Sequence, residues 1–103
     1  MHKYTIDFTN VEHYTELHKV IKKSLKFPDY YGENWSAFRD CLTDMYGEPV
    51  YIEIIGLDVI EEKFEEAAEK MIEILKQWKH YDKAFEQDIK IEISDGSTAK
   101  VLI

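Results

Sequence analysis

The sequence predicts a single α/β domain whose strands are mostly parallel. Three observations support this fold class: strand-like apolar runs alternate with amphipathic helical segments, the connections between strands hold helices, and the chain ends in two strands around a tight turn. The chain has 103 residues, and 45% of them are apolar. This length suits one domain, and this composition suffices for one core. We therefore predict one domain that spans residues 1–103.

The N-terminal segment reads as a strand followed by a helix. Apolar and polar residues alternate over residues 3–8, which is typical of a strand. Thr9 and Glu12 resemble a capping box, so we expect a helix to start there. Apolar residues at helical spacing continue to about Leu25, and Pro28 prevents the helix from going further.

The middle of the chain predicts a second helix and a central strand. Asn34 is of the type that caps helices, and we expect the helix that follows to end near residue 46. Residues 50–55 are nearly all apolar. Such a run is expected of a central strand that is covered on both faces.

The C-terminal half predicts one long helix and two strands. Asp58 gives a second cap signal, and a strong apolar stripe then continues to about Lys79. Alternating isoleucines over residues 89–93 predict a strand. Residues 95–96 mark a turn, after which residues 100–103 can return as an antiparallel edge strand.

The charge of the chain limits the classes of partner that it can bind. The formal net charge is −8, with 21 acidic and 13 basic residues. This balance argues against direct binding of nucleic acid and favours a basic protein partner. Cys41 is the single cysteine and cannot form an internal disulfide, and no apolar run is long enough to span a bilayer. We expect a cytoplasmic protein that is a monomer when free and does not bind membranes.

The second helix has one core face and one polar face. Projection at helical spacing places five residues on the inner side: Trp35, Phe38, Cys41, Leu42 and Met45. It places five others on the outer side: Ser36, Arg39, Asp40, Thr43 and Asp44. The outer face is either an ordinary solvated surface or a surface that fits a basic cleft on another protein, and periodicity alone leaves both open.

The loop before this helix is aromatic and contains a glycine. Tyr30 and Tyr31 precede Gly32, whose missing side chain permits a left-handed turn or a close backbone approach. Tyrosines beside a turn often anchor interfaces, but they can also pack down onto the core. For Tyr31 we favour packing on the core, and for Tyr30 the two alternatives are balanced.

No enzyme site is predicted. The glutamates of the third helix read as a solvated face and lack the burial that acid–base catalysis needs. His13 and His18 are five residues apart, so on a helix they diverge and do not chelate a metal. The sequence has no glycine-rich phosphate loop and no recognisable nucleophile arrangement. We therefore expect no catalytic residue, metal or cofactor.

The segment from Pro28 to Thr43 resembles the barstar family of intracellular inhibitors of barnase-type ribonucleases. The matching positions are Pro28, Tyr30–Asn34, Ala37 and Asp40–Thr43, and weaker similarity extends over the whole chain. The resemblance implies a three-layer α/β domain. It would have a three-stranded parallel sheet, three to four helices and, in this chain, the possible C-terminal edge strand.

The resemblance also implies how the chain would bind. Asp40 would enter the enzyme's phosphate pocket and accept charge-assisted hydrogen bonds from arginines and the catalytic histidine. Tyr30 would pack on the active-site surface, Gly32 would allow close approach, and Asn34 and Thr43 would make polar contacts at the rim. The full set of predicted partner-binding residues is Tyr30, Gly32, Asn34, Trp35, Ser36, Arg39, Asp40, Thr43 and Asp44.

Three positions depart from the family's pattern. Ser36 replaces an aspartate, Arg39 replaces a tryptophan, and Gln77 is the nearest match to an acid late in the third helix. The expected partner is a basic ribonuclease, either barnase-type or a related toxin, against which the chain would serve as an immunity protein. The alternative is a module of the same fold that binds a partner other than a nuclease.

Overall fold

The computed structural model describes residues 2–81, 83–95 and 97–102, which form one sheet and several helices. In chain order the elements are β1 (His2–Asp7), α1 (Tyr14–Ser24), α2 (Trp35–Thr43), β2 (Val50–Ile55), α3 (Leu57–Lys63), α4 (Glu65–Tyr81), β3 (Ile89–Ser94) and β4 (Ala99–Val101). A short 3-10 turn, Glu86–Asp88, precedes β3. Within these residues no helix has both the length and the apolar character needed to cross a membrane.

The four strands lie in the order β1-β2-β3-β4. The first three are parallel and β4 is antiparallel to β3. The register places Ile54 of β2 between Ile6 and Ile93, so isoleucines from adjacent strands line one face of the sheet. The predicted fold class, its parallel strands and its antiparallel edge strand are confirmed.

The opposite face of the sheet carries charged and aromatic side chains. Lys3 pairs with Glu53 at 3.6 Å, and Lys90 pairs with Glu92 at 3.3 Å. Both ammonium groups lie near the Tyr51 ring, 5.2 and 5.0 Å from its centre. The side chains of β2 alternate between buried and half-buried, so the helices cover one face only. The expectation that both faces of β2 are covered is therefore wrong.

The first helix starts later than predicted. Thr9 does not cap it, because the Thr9 N–H donates to the Asp7 carboxylate at 2.9 Å. The N-cap is His13, and the Glu16 carboxylate accepts from the N–H groups of His13 and Glu12 at 2.8 and 3.2 Å. These bonds lower the pKa of Glu16. The capping interaction exists, but it lies further along the chain than Thr9 and Glu12.

The long helix predicted after β2 is two helices. The chain leaves helical geometry at Phe64, where φ is −141° and ψ is 64°. The residue that precedes α3 is Gly56, in the left-handed conformation with φ +78°, and Asp58 lies inside the first turn. The predicted cap at Asp58 is therefore wrong. The ring of Phe64 packs edge-on against Tyr14 at 5.7 Å, which anchors the break to α1.

The C-terminal hairpin agrees with the prediction in type and differs in its bounds. β4 begins at Ala99, and the predicted residues Gly96 and Ile103 lie outside the described part of the chain. The Asp95 carboxylate accepts from the N–H groups of Ser97 and Thr98 at 2.9 and 2.8 Å. These bonds lower the pKa of Asp95 to about 2.

Candidate functional site

The aromatic loop is held against α1 by a buried tyrosine and a buried histidine. Tyr31 is 4% exposed and His18 is 3% exposed. The Tyr31 hydroxyl lies 2.7 Å from Nδ1 of His18. Phe27 packs on the Tyr31 ring at 5.1 Å, and Trp35 packs on the His18 ring at 4.4 Å. Tyr31 is thus part of the core, as favoured from sequence, whereas Tyr30 is 78% exposed.

Burial keeps this pair uncharged. It lowers the pKa of the His18 imidazole, and the nearby Glu33 carboxylate opposes that effect only in part. Burial also raises the pKa of the Tyr31 phenol above its usual value. The phenol therefore keeps its proton, and its O–H can donate a hydrogen bond to Nδ1 of a neutral His18. This hydrogen bond holds the loop in one position over α1.

The turn into α2 is built by Asn34 together with its neighbours. Asn34 is the N-cap, as predicted: its side-chain oxygen accepts from the Ala37 N–H at 2.8 Å, and its amide donates to the Gly32 carbonyl at 3.2 Å. The left-handed residue is Glu33, with φ 52°, so the idea that Gly32 adopts this conformation is wrong. A Cβ on Gly32 would lie 3.0 Å from the Asn34 amide nitrogen. The absence of a side chain at Gly32 therefore lets the Asn34 side chain, which forms the cap, lie close to the Gly32 backbone.

Helix α2 presents the polar face that its sequence predicts. Phe38, Cys41 and Leu42 are buried, and Trp35 and Met45 are half-buried against the core. Burial raises the pKa of the Cys41 thiol, which leaves it protonated. The exposed residues are Ser36, Arg39, Asp40, Thr43 and Asp44. The two faces predicted from periodicity are confirmed.

A groove of about 580 Å³ lies between α2 and α4. Its lining residues are Arg39, Asp40 and Thr43 from α2, Tyr46 from the following turn, and Gln77, Trp78, His80 and Tyr81 from α4. Tyr46 stacks between Trp78 and Phe85, with ring centres 5.9 and 5.2 Å away, and its hydroxyl donates to the Trp78 carbonyl. Tyr81, which is 83% exposed, also lines the groove.

Arg39 and Asp40 both line this groove but differ in their hydrogen bonds. Nη2 of Arg39 donates to Oε1 of Gln77 at 3.0 Å, and the Gln77 amide donates to Glu73 at 3.4 Å. Arg39 therefore bridges α2 to α4. The Asp40 carboxylate has no hydrogen-bond or ion-pair partner among the residues that the structure describes.

The structure brings together only part of the predicted site. Arg39, Asp40 and Thr43 line the groove, and the Thr43 hydroxyl donates to the Arg39 carbonyl at 3.0 Å. Asp44 lies instead at a separate hollow lined by residues that include Tyr4. The loop residues Tyr30, Gly32 and Asn34, together with Trp35 and Ser36, do not line the groove.

Sequence reasoning missed most of the α4 wall. Only Gln77 had been singled out, through the family resemblance. Trp78, His80 and Tyr81 were not identified, because their contact with α2 is made across the fold, and in the sequence pattern Tyr46 marks only the end of the second helix. The one available signal was the dense aromatic content near the end of α4.

The described residues contain no group of three or more histidine, cysteine, aspartate or glutamate side chains arranged to hold a metal ion. The groove and the exposed side chains of α2 are the features of the site that the structure describes.

Comparison with known proteins agrees with this description. The profile of the family described as "Barstar (barnase inhibitor)" matches residues 1–94. A protein of Bacillus subtilis (strain 168) named "Putative ribonuclease inhibitor YrdF" is 31% identical over 77 residues, which cover 75% of this chain and 85% of that protein. The family match spans most of the chain, including the loop, α2 and α4. The chain therefore belongs to the barstar family.

Proposed function

We propose that the chain inhibits a ribonuclease of the barnase type, or a related toxin, by covering its active site with the 27–34 loop and α2. Asp40 takes the place of a substrate phosphate in this complex. The chain acts as an immunity protein inside the cell that makes the enzyme. The partner is a basic ribonuclease, because its active site must hold RNA phosphates.

The observation that carries this proposal is the state of the Asp40 carboxylate. It lies exposed on a helix, at the edge of a groove, with no partner among the residues described. A carboxylate in that state loses no internal bond when it binds. It can accept charge-assisted hydrogen bonds from arginine or protonated histidine, which are shorter and stronger than neutral ones.

The elements around Asp40 support the same role because they are held in place before binding. The His18–Tyr31 bond and the Asn34 cap fix the loop and the start of α2. A surface that is already ordered loses less conformational entropy on association. Tyr30, exposed in the same loop, offers a large contact area with few rotatable bonds.

The net charge of −8 adds a long-range effect. Attraction between an acidic inhibitor and a basic enzyme accelerates encounter and weakens as salt increases. We therefore expect inhibition to be faster at low ionic strength.

The test is titration of a barnase-type ribonuclease with the protein, using a fluorogenic RNA substrate at low and moderate salt. We expect stoichiometric inhibition by the wild type. Asp40→Ala should weaken inhibition at least about a hundredfold, because it leaves the enzyme's cations unpaired in a covered site.

Glu62→Gln is the matched control, because it removes one exposed acid from α3. It should change inhibition by less than about threefold, as expected for a charge outside the interface. Equal inhibition by Asp40→Ala and the wild type would remove Asp40 from the phosphate pocket. A folded wild type that inhibits no ribonuclease would favour the alternative, a module for a partner other than a nuclease.

A further inference from the structure

We propose that Arg39 selects the ribonuclease by pairing with a carboxylate that the enzyme places in the groove between α2 and α4. This inference rests on the proposed function and adds the chemistry of the partner. The enzyme would present an aspartate or glutamate next to the cations that receive Asp40.

Arg39 is held in position to make such a contact. Its bond to Gln77 at 3.0 Å ties α2 to α4 and keeps the guanidinium at the groove. A guanidinium has five N–H donors, and this bond uses one of them. In the described part of the chain no acid forms an ion pair with Arg39. Donors therefore remain for an oxygen that comes from outside.

The groove around Arg39 has few competing charges. Besides Arg39, its acidic and basic lining residues are Asp40 and His80, apart from the phenols of Tyr46 and Tyr81, and His80 is already 2.8 Å from the Glu86 carboxylate. The other walls are the aromatic rings of Tyr46, Trp78 and Tyr81 together with the neutral Thr43 and Gln77. A bidentate bond between arginine and a carboxylate is stronger where such walls exclude water.

The sign of the preferred partner group follows from desolvation. An enzyme that covers Asp40 also covers the adjacent Arg39, and a covered guanidinium without a countercharge is strongly unfavourable. Gln77 is neutral and cannot supply that countercharge. A cation of the enzyme at this point would be repelled, whereas a carboxylate would be attracted. RNA phosphate is a poorer candidate, because the chain carries a net charge of −8.

The experiment compares the affinity of a barnase-type ribonuclease for the wild type, Arg39→Gln and Arg39→Glu. Affinity is measured by calorimetry at fixed salt, and thermal unfolding confirms that each variant is folded. We expect Kd to rise about tenfold for Arg39→Gln and about a hundredfold for Arg39→Glu. Lys76→Glu makes the same charge reversal at an exposed position that does not line the groove, and it should change Kd less than about threefold.

A second variant separates direct pairing from a structural role. Gln77→Ala breaks the bond between α2 and α4 but keeps the charge of Arg39. If Arg39 pairs with the enzyme, Gln77→Ala should raise Kd by only about threefold, clearly less than Arg39→Gln does, because the charge remains and only its positioning is lost. If Arg39 acts only by joining the helices, Gln77→Ala will raise Kd as much as Arg39→Gln does, and the proposal is wrong.

Charge exchange identifies the enzyme's acid. Each acidic residue around the ribonuclease active site is changed to arginine in turn, and binding of Arg39→Glu is measured. One exchange should restore most of the lost affinity, as expected for a directly paired site. The absence of any rescue would overturn the inference.

The same measurements separate this inference from the proposed function. If Asp40→Ala weakens binding while Arg39→Glu binds as well as the wild type, the inhibitor function stands and the role of Arg39 falls. If the wild type binds no ribonuclease, both fall together.

Discussion

One buried imidazole should make the stability of this fold depend on pH. His18 lies between Tyr31 and Trp35, and its ring also contacts Tyr14 at 6.2 Å. Burial lowers its pKa from the ordinary value of 6.5, although the Glu33 carboxylate partly opposes this shift. The unfolded chain therefore takes up a proton before the folded chain does as the pH falls. The stabilisation is complete above about pH 6.5 and is lost as the pH decreases towards the lowered pKa.

The size of the effect follows from proton linkage. Each pH unit inside this window removes up to about 1.4 kcal/mol from the free energy of unfolding. Between pH 6.5 and 5.0 the loss is therefore about 2 kcal/mol at most. Asp7, Glu16, Glu92 and Asp95 have lowered pKa values, and their contribution is lost only below the ordinary carboxyl values of 3.8 and 4.5. Between pH 5.0 and 6.5 these four carboxylates consequently contribute little to the pH dependence of the free energy of unfolding.

The assay is urea denaturation of the wild type and His18→Gln at pH 7.0, 6.0 and 5.0. Glutamine keeps an acceptor for the Tyr31 hydroxyl but has no titration in this range. We expect the wild type to lose up to about 2 kcal/mol more than the variant on going from pH 7.0 to 5.0. His13→Gln, at an exposed histidine, is the matched control. Equal pH slopes for His18→Gln and the wild type would refute the reasoning.

Two further substitutions test the backbone that supports the site. Gly56→Ala should destabilise the protein by about 3 kcal/mol or more, since a Cβ would lie 2.7 Å from the Thr9 nitrogen and the residue is left-handed. Gly47→Ala, with a positive φ but no atom within 4 Å, should cost only about 1–2 kcal/mol, and equal losses in urea denaturation would contradict the clash. Asn34→Ala should cost about 1 kcal/mol by loss of the cap and also weaken ribonuclease inhibition. Unchanged thermal unfolding and inhibition by this variant would show that the cap does not position α2.

The strands show where local pattern was sufficient. The runs 50–55 and 89–93 predicted strands, and the structure has β2 and β3 at Val50–Ile55 and Ile89–Ser94. β-Branched residues favour extended backbone wherever they are packed, and Pro49 and Gly56 limit the first run on both sides. The sequence pattern did not show in the same way which face of the sheet the helices cover. Tyr51 and Glu53 look compatible with a covered face until their lysine partners from other strands are known.

The break between α3 and α4 shows where local pattern failed. Glutamate, lysine and alanine surround Phe64, and all of them favour helix. Nothing in these residues marks an end. The Phe64 ring leaves the helical path to pack on Tyr14, which is far away in sequence. A contact of this kind overrides a local preference that amounts to only a few tenths of a kcal/mol per residue.

The candidate site likewise has features set by local sequence and features set by tertiary contacts. Helical spacing by itself determined the two faces of α2, the exposure of Asp40 and the cap at Asn34, because each of these depends on residues within one or two turns. Only the tertiary structure placed Arg39 against Gln77, buried His18 beneath the loop and formed the groove with Tyr81. The two hydrogen bonds among these contacts join residues that are 13 and 38 positions apart. They arise from the packing of α2 on α1 and α4, and no periodicity within a single helix contains that information.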